Sequence, residues 1–396
     1  MRVHVVDPPA YTPAYDHALC SALAAAGAGV ELFTSRFAYG PVAPAEGYDR
    51  REFFYRRTAG QAGSRLRLLA KLAQHVPDML RYRGAARAAD IVHFQWLTVQ
   101  HLDRHLLPPG RSPVSGRRSP SAAPLVLTAH DILPREPRPG QRAAQRRAYD
   151  RFDAIVVHSE HGRKRLIDEL GIESARVHVI AHGVLRPWEG ADGHDRDGEA
   201  PLPAELRGAG GPVALMFGLL RPYKGLDVLL EAWAGMAGGP GGGDSGGAEL
   251  WIVGMPRMDI GALLEPMPPG VRLLPRFLSD AEILAVMRRA SLAVLPYREI
   301  DQSGVALAAL GAGVPLLLSD VGGFPQIAAT GAARTVPAGD PIALRGALTE
   351  LLSDPAALAA MSARAHEAVA GEYAWENIAR RTLALYELLL GDNPGR

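Results

Sequence analysis

Two cations bracketed by glycines carry the clearest chemistry in the sequence. In Gly218-Leu219-Leu220-Arg221-Pro222-Tyr223-Lys224-Gly225, Arg221 and Lys224 stand three residues apart, after an apolar run at 213–217 and before a helical pattern. A helix N-terminus offers free amides and the positive end of the helix dipole, and two fixed cations there strengthen the pull on an anion. A diphosphate is the guest such a site suits; two solvated surface cations are the plain alternative. A second loop, Tyr297-Arg298-Glu299-Ile300-Asp301-Gln302-Ser303-Gly304, follows the apolar run 292–296 and opens another helix. Ser303 is a good N-cap. The amides of Gly304 and Val305 are expected to point at the same phosphate, and Glu299 and Asp301 stand where carboxylates could receive sugar hydroxyls. The run 125–129 ends at His130-Asp131, where an imidazole can donate to a substrate hydroxyl or act as a polar clamp. His93, His158 and His182 also follow or end strands, and spacing alone does not say which reach a ligand.

These loops need strands behind them. Short apolar or β-branched runs predict strands at 3–6, 30–34, 91–96, 125–129, 154–157 and 177–180, with a helix at 16–26 closed by Gly27. A strand-loop-helix-strand opening implies a parallel sheet with right-handed crossovers, buried on both faces. Residues 183–212 are polar and rich in Gly and Pro and read as a linker, and the tracts 108–121 and 238–247 read as surface loops. A second series follows, with strands at 213–217, 250–253, 271–274, 292–296 and 316–319 and helices at 225–233, 280–289 and 305–311; the tail 341–390 reads as helical. The expected fold class is α/β, with two Rossmann-like β/α/β domains facing each other across a cleft. The first spans 1–183, a linker 184–211 and the second 212–371, and a terminal helix at 372–396 crosses back. Ligands of open parallel sheets bind beyond the carboxyl ends of the strands, where the loops above lie.

The 396 residues are 47% hydrophobic and 21% charged, which excludes disorder as the main state. Cys20 is the only cysteine, so a disulfide scaffold is excluded and a reducing, cytoplasmic setting is expected. Residues 1–10 lack the pattern of a secretory leader, and the longest apolar stretch, 304–318, is broken by Pro315 and too short to span a bilayer. Net charge is +1, yet residues 1–182 hold 26 Lys and Arg against 17 Asp and Glu, while the remainder holds 17 against 25. A first half at +9 either faces something anionic, such as phosphate, lipid or a charged acceptor, or reflects charges segregated by chance in two halves that attract each other. Within 51–90, Arg51, Arg56, Arg57, Arg65, Arg67, Lys71, Arg81, Arg83 and Arg87 oppose only Glu52, Asp78 and Asp90, with Phe53, Phe54, Tyr55, Leu66, Leu68, Leu69 and Leu72 among them. Two readings stand: an amphipathic helix in peripheral contact with an anionic membrane, or, more plainly, a domain helix with leucines facing the core and arginines facing water. No aromatic stacking platform suggests a nucleic-acid partner. No Gly-x-Gly-x-x-Gly follows the first strand, which argues against a dinucleotide oxidoreductase. No cluster has zinc-like spacing, and Asp195-Arg196-Asp197 lies in the polar linker, so no metal is expected.

Several motifs in one order resemble the GT-B-fold glycosyltransferases of the large retaining family four (glycosyl transferases group 1). They are Thr128-Ala129-His130-Asp131, Val179-Ile180-Ala181-His182-Gly183-Val184, Gly218 to Gly225, Leu250-Trp251-Ile252-Val253-Gly254, Ala293-Val294-Leu295-Pro296-Tyr297, Gly311-Ala312-Gly313-Val314-Pro315, Asp320-Val321-Gly322-Gly323 and Tyr373-Ala374-Trp375. The resemblance covers nearly the whole chain. It implies sugar transfer from a nucleoside-diphosphate sugar, held by the second domain, to an acceptor hydroxyl held by the first, with retention and without metal or other cofactor. Arg221 and Lys224 match the family's diphosphate-binding pair, His130 the histidine beside the transferred sugar, and Pro275-Arg276-Phe277 the stretch bordering the nucleobase. Gly218, Arg276, Gln302, Ser303, Gly304 and Val305 would hold the donor. The acceptor could be a saccharide, a lipid-linked saccharide or a small molecule. The family usually carries two glutamates eight positions apart around this loop. Here they fall at Ile300 and Ala308 or at Asp301 and Ala309, so the second is alanine; Gln326 stands where a glutamate is common, and Pro8-Pro9 replaces a glycine pair. Amides and Gln302 are expected to take over ribose binding. A binding protein that has lost catalysis, or a sugar-nucleotide epimerase on the same fold, are the alternatives.

Overall fold

The computed structural model describes residues 1–37, 42–57, 65–110, 122–132, 140–184, 201–236 and 247–391. Most of the two predicted surface loops, the Asp195-Arg196-Asp197 stretch and the side chains of Arg65, Leu66, Arg67 and Leu68 lie outside them. The chain divides into two compact units, Met1–Gly183 with Trp375–Arg396, and Val184–Ala374.

Unit 1 alternates strands and helices: β1 (Arg2–Asp7), α1 (Pro13–Ala25), β2 (Gly29–Ser35), β3 (Asp49–Phe54), α2 (Arg65–Ala85), β4 (Ile91–Phe94), α3 (Gln100–Leu106), β5 (Leu125–Thr128), α4 (Gln141–Tyr149), β6 (Ala154–Val157), α5 (Glu160–Leu170) and β7 (Val177–Val179). The strands pair in parallel in the order β3-β2-β1-β4-β5-β6-β7. Every residue of β4, β5 and β6 is buried, as expected where helices cover both faces. Tyr82, Phe54, Phe94 and Phe152 fill the core; truncating one of them to alanine would cost about 3–5 kcal/mol. The strand order reverses between β1 and β4, so the loops leaving these two strands diverge at the carboxyl edge.

Unit 2 repeats the plan with β8 (Val213–Phe217), α6 (Leu226–Ala234), β9 (Glu249–Val253), β10 (Val271–Leu274), α7 (Asp280–Arg289), β11 (Leu292–Leu295), α8 (Gly304–Gly311), β12 (Leu316–Ser319), α9 (Phe324–Ala328), β13 (Ala333–Val336), α10 (Pro341–Leu352) and α11 (Pro355–Ala370). Its order is β10-β9-β8-β11-β12-β13, reversing between β8 and β11. The last helix, α12 (Trp375–Gly391), belongs to unit 1, where the Tyr386 hydroxyl lies 2.6 Å from His93 Nδ1.

The structure departs from the sequence reading at three places. Strands β3 and β13 were not expected. Both lie at a sheet edge, where residues such as Asp49, Arg51, Glu52 and Arg334 are exposed and the apolar signature is diluted. Residues 201–212 carry a short helical turn, Ala204–Leu206, with Leu206 buried in unit 2, so they are not linker. Helix α2 turns Leu69 and Leu72 to solvent; its inward face is His75, Asp78, Met79 and Tyr82. For Leu69 and Leu72 the expectation that the leucines face the core is therefore overturned.

Candidate functional site

The carboxyl edge of the unit 2 sheet is built by glycines. Gly218 ends β8 with φ +104°. A Cβ there would lie 3.0 Å from Lys224 Nζ and 3.0 Å from Val305 Cγ2, so glycine lets the ammonium and the first turn of α8 approach one point. Gly254, leaving β9 at φ +137°, lies so near that a Cβ would strike the Gly218 carbonyl. Gly225 (φ +69°) similarly abuts the Pro296 carbonyl, and Gly322 (φ +59°) abuts that of Ile300. The loops after β8, β9, β11 and β12 are thus packed backbone to backbone around the point where the strand order reverses.

Lys224 is 5% exposed, with its ammonium 5.1 Å from the centroid of the buried Tyr297 ring. A desolvated cation over an aromatic face gains about 2 kcal/mol. Ser303 caps α8 by accepting the Ala306 amide. Intrahelical bonding leaves the Gly304 and Val305 amides free, and open space lies beyond Gly304. The structure so brings together Gly218, Lys224, Ser303, Gly304 and Val305. Gln302 and Asp301 are half-buried beside them and Glu299 is exposed.

Arg221 is placed otherwise than its spacing predicts. A short 3-10 turn, Pro222–Lys224, and then Gly225 in the left-handed region separate it from α6, so the two cations do not share one helix N-terminus. Pro222 fixes the start of that turn, and Gly225 breaks it. Arg221 lies exposed ahead of the turn and Lys224 buried at its end. Arg276 is committed elsewhere, to both carboxylate oxygens of Glu282 at 2.7 and 3.3 Å. It holds the Glu282 carboxyl down to about 2, and Glu282 in turn closes the capping box of α7 with Ser279. Ala308 and Ala309 are buried in α8 and present no polar group.

Sequence reasoning missed a lock on this edge. Arg298 grips Asp227 through two hydrogen bonds of 2.9 and 2.5 Å, and its own amide donates to the Tyr223 carbonyl at 2.8 Å. The loop after β11 is thereby fastened to the Lys224 turn. Arg298 holds the Asp227 carboxyl below its usual range.

The carboxyl edge of unit 1 is of another kind. Here His130, His158, His182, Tyr15, Trp96 and Trp375 form one layer of rings. His130 stacks on Trp96, with centroids 4.9 Å apart and planes at 13°, and meets the edge of Tyr15 at 4.7 Å. A Cβ on Gly183 would strike the Trp375 indole, which closes the layer against Tyr15. Behind them His93 bonds Thr128 and Tyr386 at 2.8 and 2.6 Å. Burial pushes the imidazoles of His93 and His182 down to about 3, His158 to about 4 and His130 well below its ordinary value. All four are neutral at pH 7.

Neutral rings fix their tautomers by their partners. The Ile180 carbonyl can only accept, so His158 Nδ1, 3.0 Å away, carries the hydrogen. His158 Nε2 then accepts from His130 Nδ1 at 3.3 Å. His130 Nε2 is left as an acceptor, 3.3 Å from Gln95 Oε1, while Gln95 Nε2 has no partner. Rotating the Gln95 amide by half a turn supplies the donor this nitrogen needs. The sequence reading left His130 as a donor to a substrate hydroxyl or a polar clamp; the relay makes its Nε2 an acceptor. Beneath the layer, Asp7 and Asp16 are fully buried, and burial raises both carboxyls, Asp16 further through the charge of Asp7.

Comparison with known proteins agrees with this architecture. The Glycosyltransferase Family 4 profile matches residues 15–184 and the Glycosyl transferases group 1 profile residues 211–354. A D-inositol 3-phosphate glycosyltransferase of Mycobacterium avium is 27% identical over 287 residues, covering 67% of this chain and 64% of that protein. Its counterpart in Mycobacterium tuberculosis is 24% identical over 68% of this chain and 58% of its own length. The chain thus matches about three-fifths of the length of these relatives. Among solved structures, sucrose-phosphate synthase from Thermosynechococcus elongatus superposes with TM-score 0.70 at 19% identity, covering 99% of this chain and 100% of that one. Anabaena HepE in complex with UDP-glucose does so with TM-score 0.65 at 16% identity, covering 98% and 100%. With one profile on each unit and the doubly wound sheets of the GT-B fold, the chain belongs to the family-four, group 1 glycosyltransferases.

Proposed function

We propose that this protein transfers a sugar from a nucleoside-diphosphate sugar to an acceptor hydroxyl with retention, and that it needs no metal to do so. The observation that carries the reading is the buried Lys224 ammonium, gathered with the free amides of α8 around Gly218. In the reaction the bond from the sugar to the diphosphate breaks and a glycosidic bond to the acceptor oxygen forms, the acceptor's hydroxyl proton leaving with the diphosphate. Negative charge grows on the departing diphosphate. Lys224, the Gly304 and Val305 amides and Arg221 stabilise that charge in place of a metal ion. Gln302, Asp301 and Glu299 receive hydroxyls of the donor.

Unit 1 takes the acceptor. Its ring layer offers a neutral surface with one imidazole nitrogen, His130 Nε2, that can exchange the Gln95 amide for an acceptor hydroxyl. The excess of cations in the first half suits an anionic acceptor, and the Mycobacterium relatives are named for an inositol phosphate. Complexes of HepE with UDP and UDP-glucose make uridine donors the first to try. Arg276, held by Glu282, keeps only the edge of its guanidinium for a base.

Thermal shift against UDP-, GDP-, ADP- and dTDP-sugars tests the donor claim, since a bound donor raises Tm. Donor turnover with D-inositol 3-phosphate, and with neutral polyols, in excess EDTA then tests transfer, and proton NMR of the new anomeric centre tests retention. Binding without turnover of any donor would identify the chain as a sugar-nucleotide-binding protein, the reading that the alanines at 308 and 309 favour. Interconversion of donor epimers would identify an epimerase.

A further inference from the structure

The outward face of α2 is unlike any other helix face in unit 1. Leu69, Leu72, Val76 and Leu80 are 63, 43, 37 and 49% exposed. Spaced by three, four and four residues, they form one apolar stripe. The stripe cannot roll inward. On the opposite face His75 Nε2 bonds Asp103 of α3 at 2.5 Å and its Nδ1 lies 2.8 Å from the Tyr55 hydroxyl, while Asp78 accepts the Tyr55 amide at 2.7 Å. Tyr82 and Met79 fill the core beside them. Turning the leucines in would break three buried polar contacts and carry an imidazole and a carboxylate past the core. The helix is therefore keyed with its aliphatic side to solvent.

Among the described residues, α2 and the segment 55–57 expose cations, with Glu52 of β3 as an exposed acid beside Arg56. Asp78 is the only acid in α2 and is buried; Arg81 pairs with it at 3.3 Å and lies over the Phe53 ring, while Arg87 is exposed and Arg83 half-buried along the same stretch. Arg56 and Arg57, at the end of the preceding strand, are exposed as well, and α3 adds the exposed Leu102. Two copies of this face would set cations against cations. An anionic surface with an apolar layer beneath it satisfies both features together. No helix among the described residues is long and apolar enough to cross a membrane, so the contact is a surface one.

We propose that α2 docks this protein on an anionic phospholipid bilayer, with Leu69, Leu72, Val76 and Leu80 entering the headgroup region and the flanking arginines meeting lipid phosphates. The proposal does not depend on the sugar-transfer reading, and its test does not use activity. The full chain is floated with vesicles of phosphatidylcholine alone and with 30% phosphatidylglycerol (roughly the anionic share that draws polybasic segments). Binding is expected to the anionic vesicles only and to fall at least tenfold in high salt. Leu72→Gln with Leu80→Gln changes exposed positions. This variant is expected to keep the wild-type Tm and circular dichroism and to lose at least tenfold in vesicle partition, as removal of two leucines from an apolar layer implies. Failure to float with either vesicle at low salt would overturn the proposal, and so would flotation that the leucine pair does not affect. Sedimentation showing a dimer that this variant separates into monomers would overturn it in favour of a protein interface.

Discussion

The two carboxyl edges of this chain stand on the same sheet order and are furnished in opposite ways. Unit 1 carries a layer of stacked neutral rings whose nitrogens are joined in a relay. Unit 2 carries bare backbone, with four glycines at positive φ packed on carbonyls and on one buried ammonium. The first suits uncharged hydroxyls, which need directional partners already oriented. The second suits a diphosphate, which needs close amides and charge. A doubly wound sheet fixes where a ligand sits; the side chains or their absence decide what kind it is.

The comparison breaks most readily at Gly225. Alanine there must hold φ +69° and strike the Pro296 carbonyl, so Gly225→Ala should destabilise unit 2 by about 3–5 kcal/mol. Urea unfolding should show an early transition for tryptophans of unit 2, with the unit 1 transition unmoved; a single unshifted transition would refute the packing.

The units should also differ in their response to acid. A histidine whose folded value lies below its unfolded one stabilises the fold fully above the unfolded value and loses that contribution as pH falls. His158, with a folded value of about 4 against 6.5, alone implies roughly 3 kcal/mol lost between these limits. His93 and His182, both lowered to about 3, act in the same sense. The raised Asp7 and Asp16 carboxyls act oppositely, stabilising at low pH and losing that contribution as pH rises through their raised values. Unit 1 should therefore lose urea resistance from pH 6.5 to pH 4.5, while unit 2, which lacks such a cluster among the described residues, should change little.

A smaller effect sharpens the relay. His158→Ala leaves the Ile180 carbonyl and His130 Nδ1 without their partner, at about 1–3 kcal/mol. Nitrogen-15 NMR should show the His130 tautomer, fixed in the wild type, become mixed. An unchanged tautomer would mean that the relay does not set it. The smallest effect is expected at Arg276. Because its guanidinium is held by Glu282, Arg276→Ala should change nucleotide affinity less than about threefold and leave the Tm of unit 2 nearly unchanged, as expected for an exposed pair.

What the sequence made legible follows from what is local. The buried strands announce themselves by short apolar runs, and Gly218 to Gly225 by its glycines and cations. The edge strand β3 does not, because its exposed Asp49, Arg51 and Glu52 look like a loop. Arg298 and Asp227 are 71 residues apart, and nothing near either marks the other. The His130–His158 contact requires knowing that β5 and β6 are neighbours. Helix α2 misled because leucine spacing reports a stripe without saying which way it faces. Its inward face is held by His75 and Asp78, whose partners Tyr55 and Asp103 come from elsewhere in the chain.

The central claim is that the buried Lys224 ammonium, with the α8 amides, holds a diphosphate within unit 2. It is tested most directly by calorimetric titration of UDP, and of the best donor from the thermal-shift screen, into wild type, Lys224→Met and His130→Ala. Lys224→Met should bind at least a hundredfold more weakly, consistent with loss of a charge-assisted contact of roughly 3 kcal/mol. His130→Ala should bind UDP as wild type does. A Lys224→Met protein that retains full affinity for the nucleotide would contradict the account.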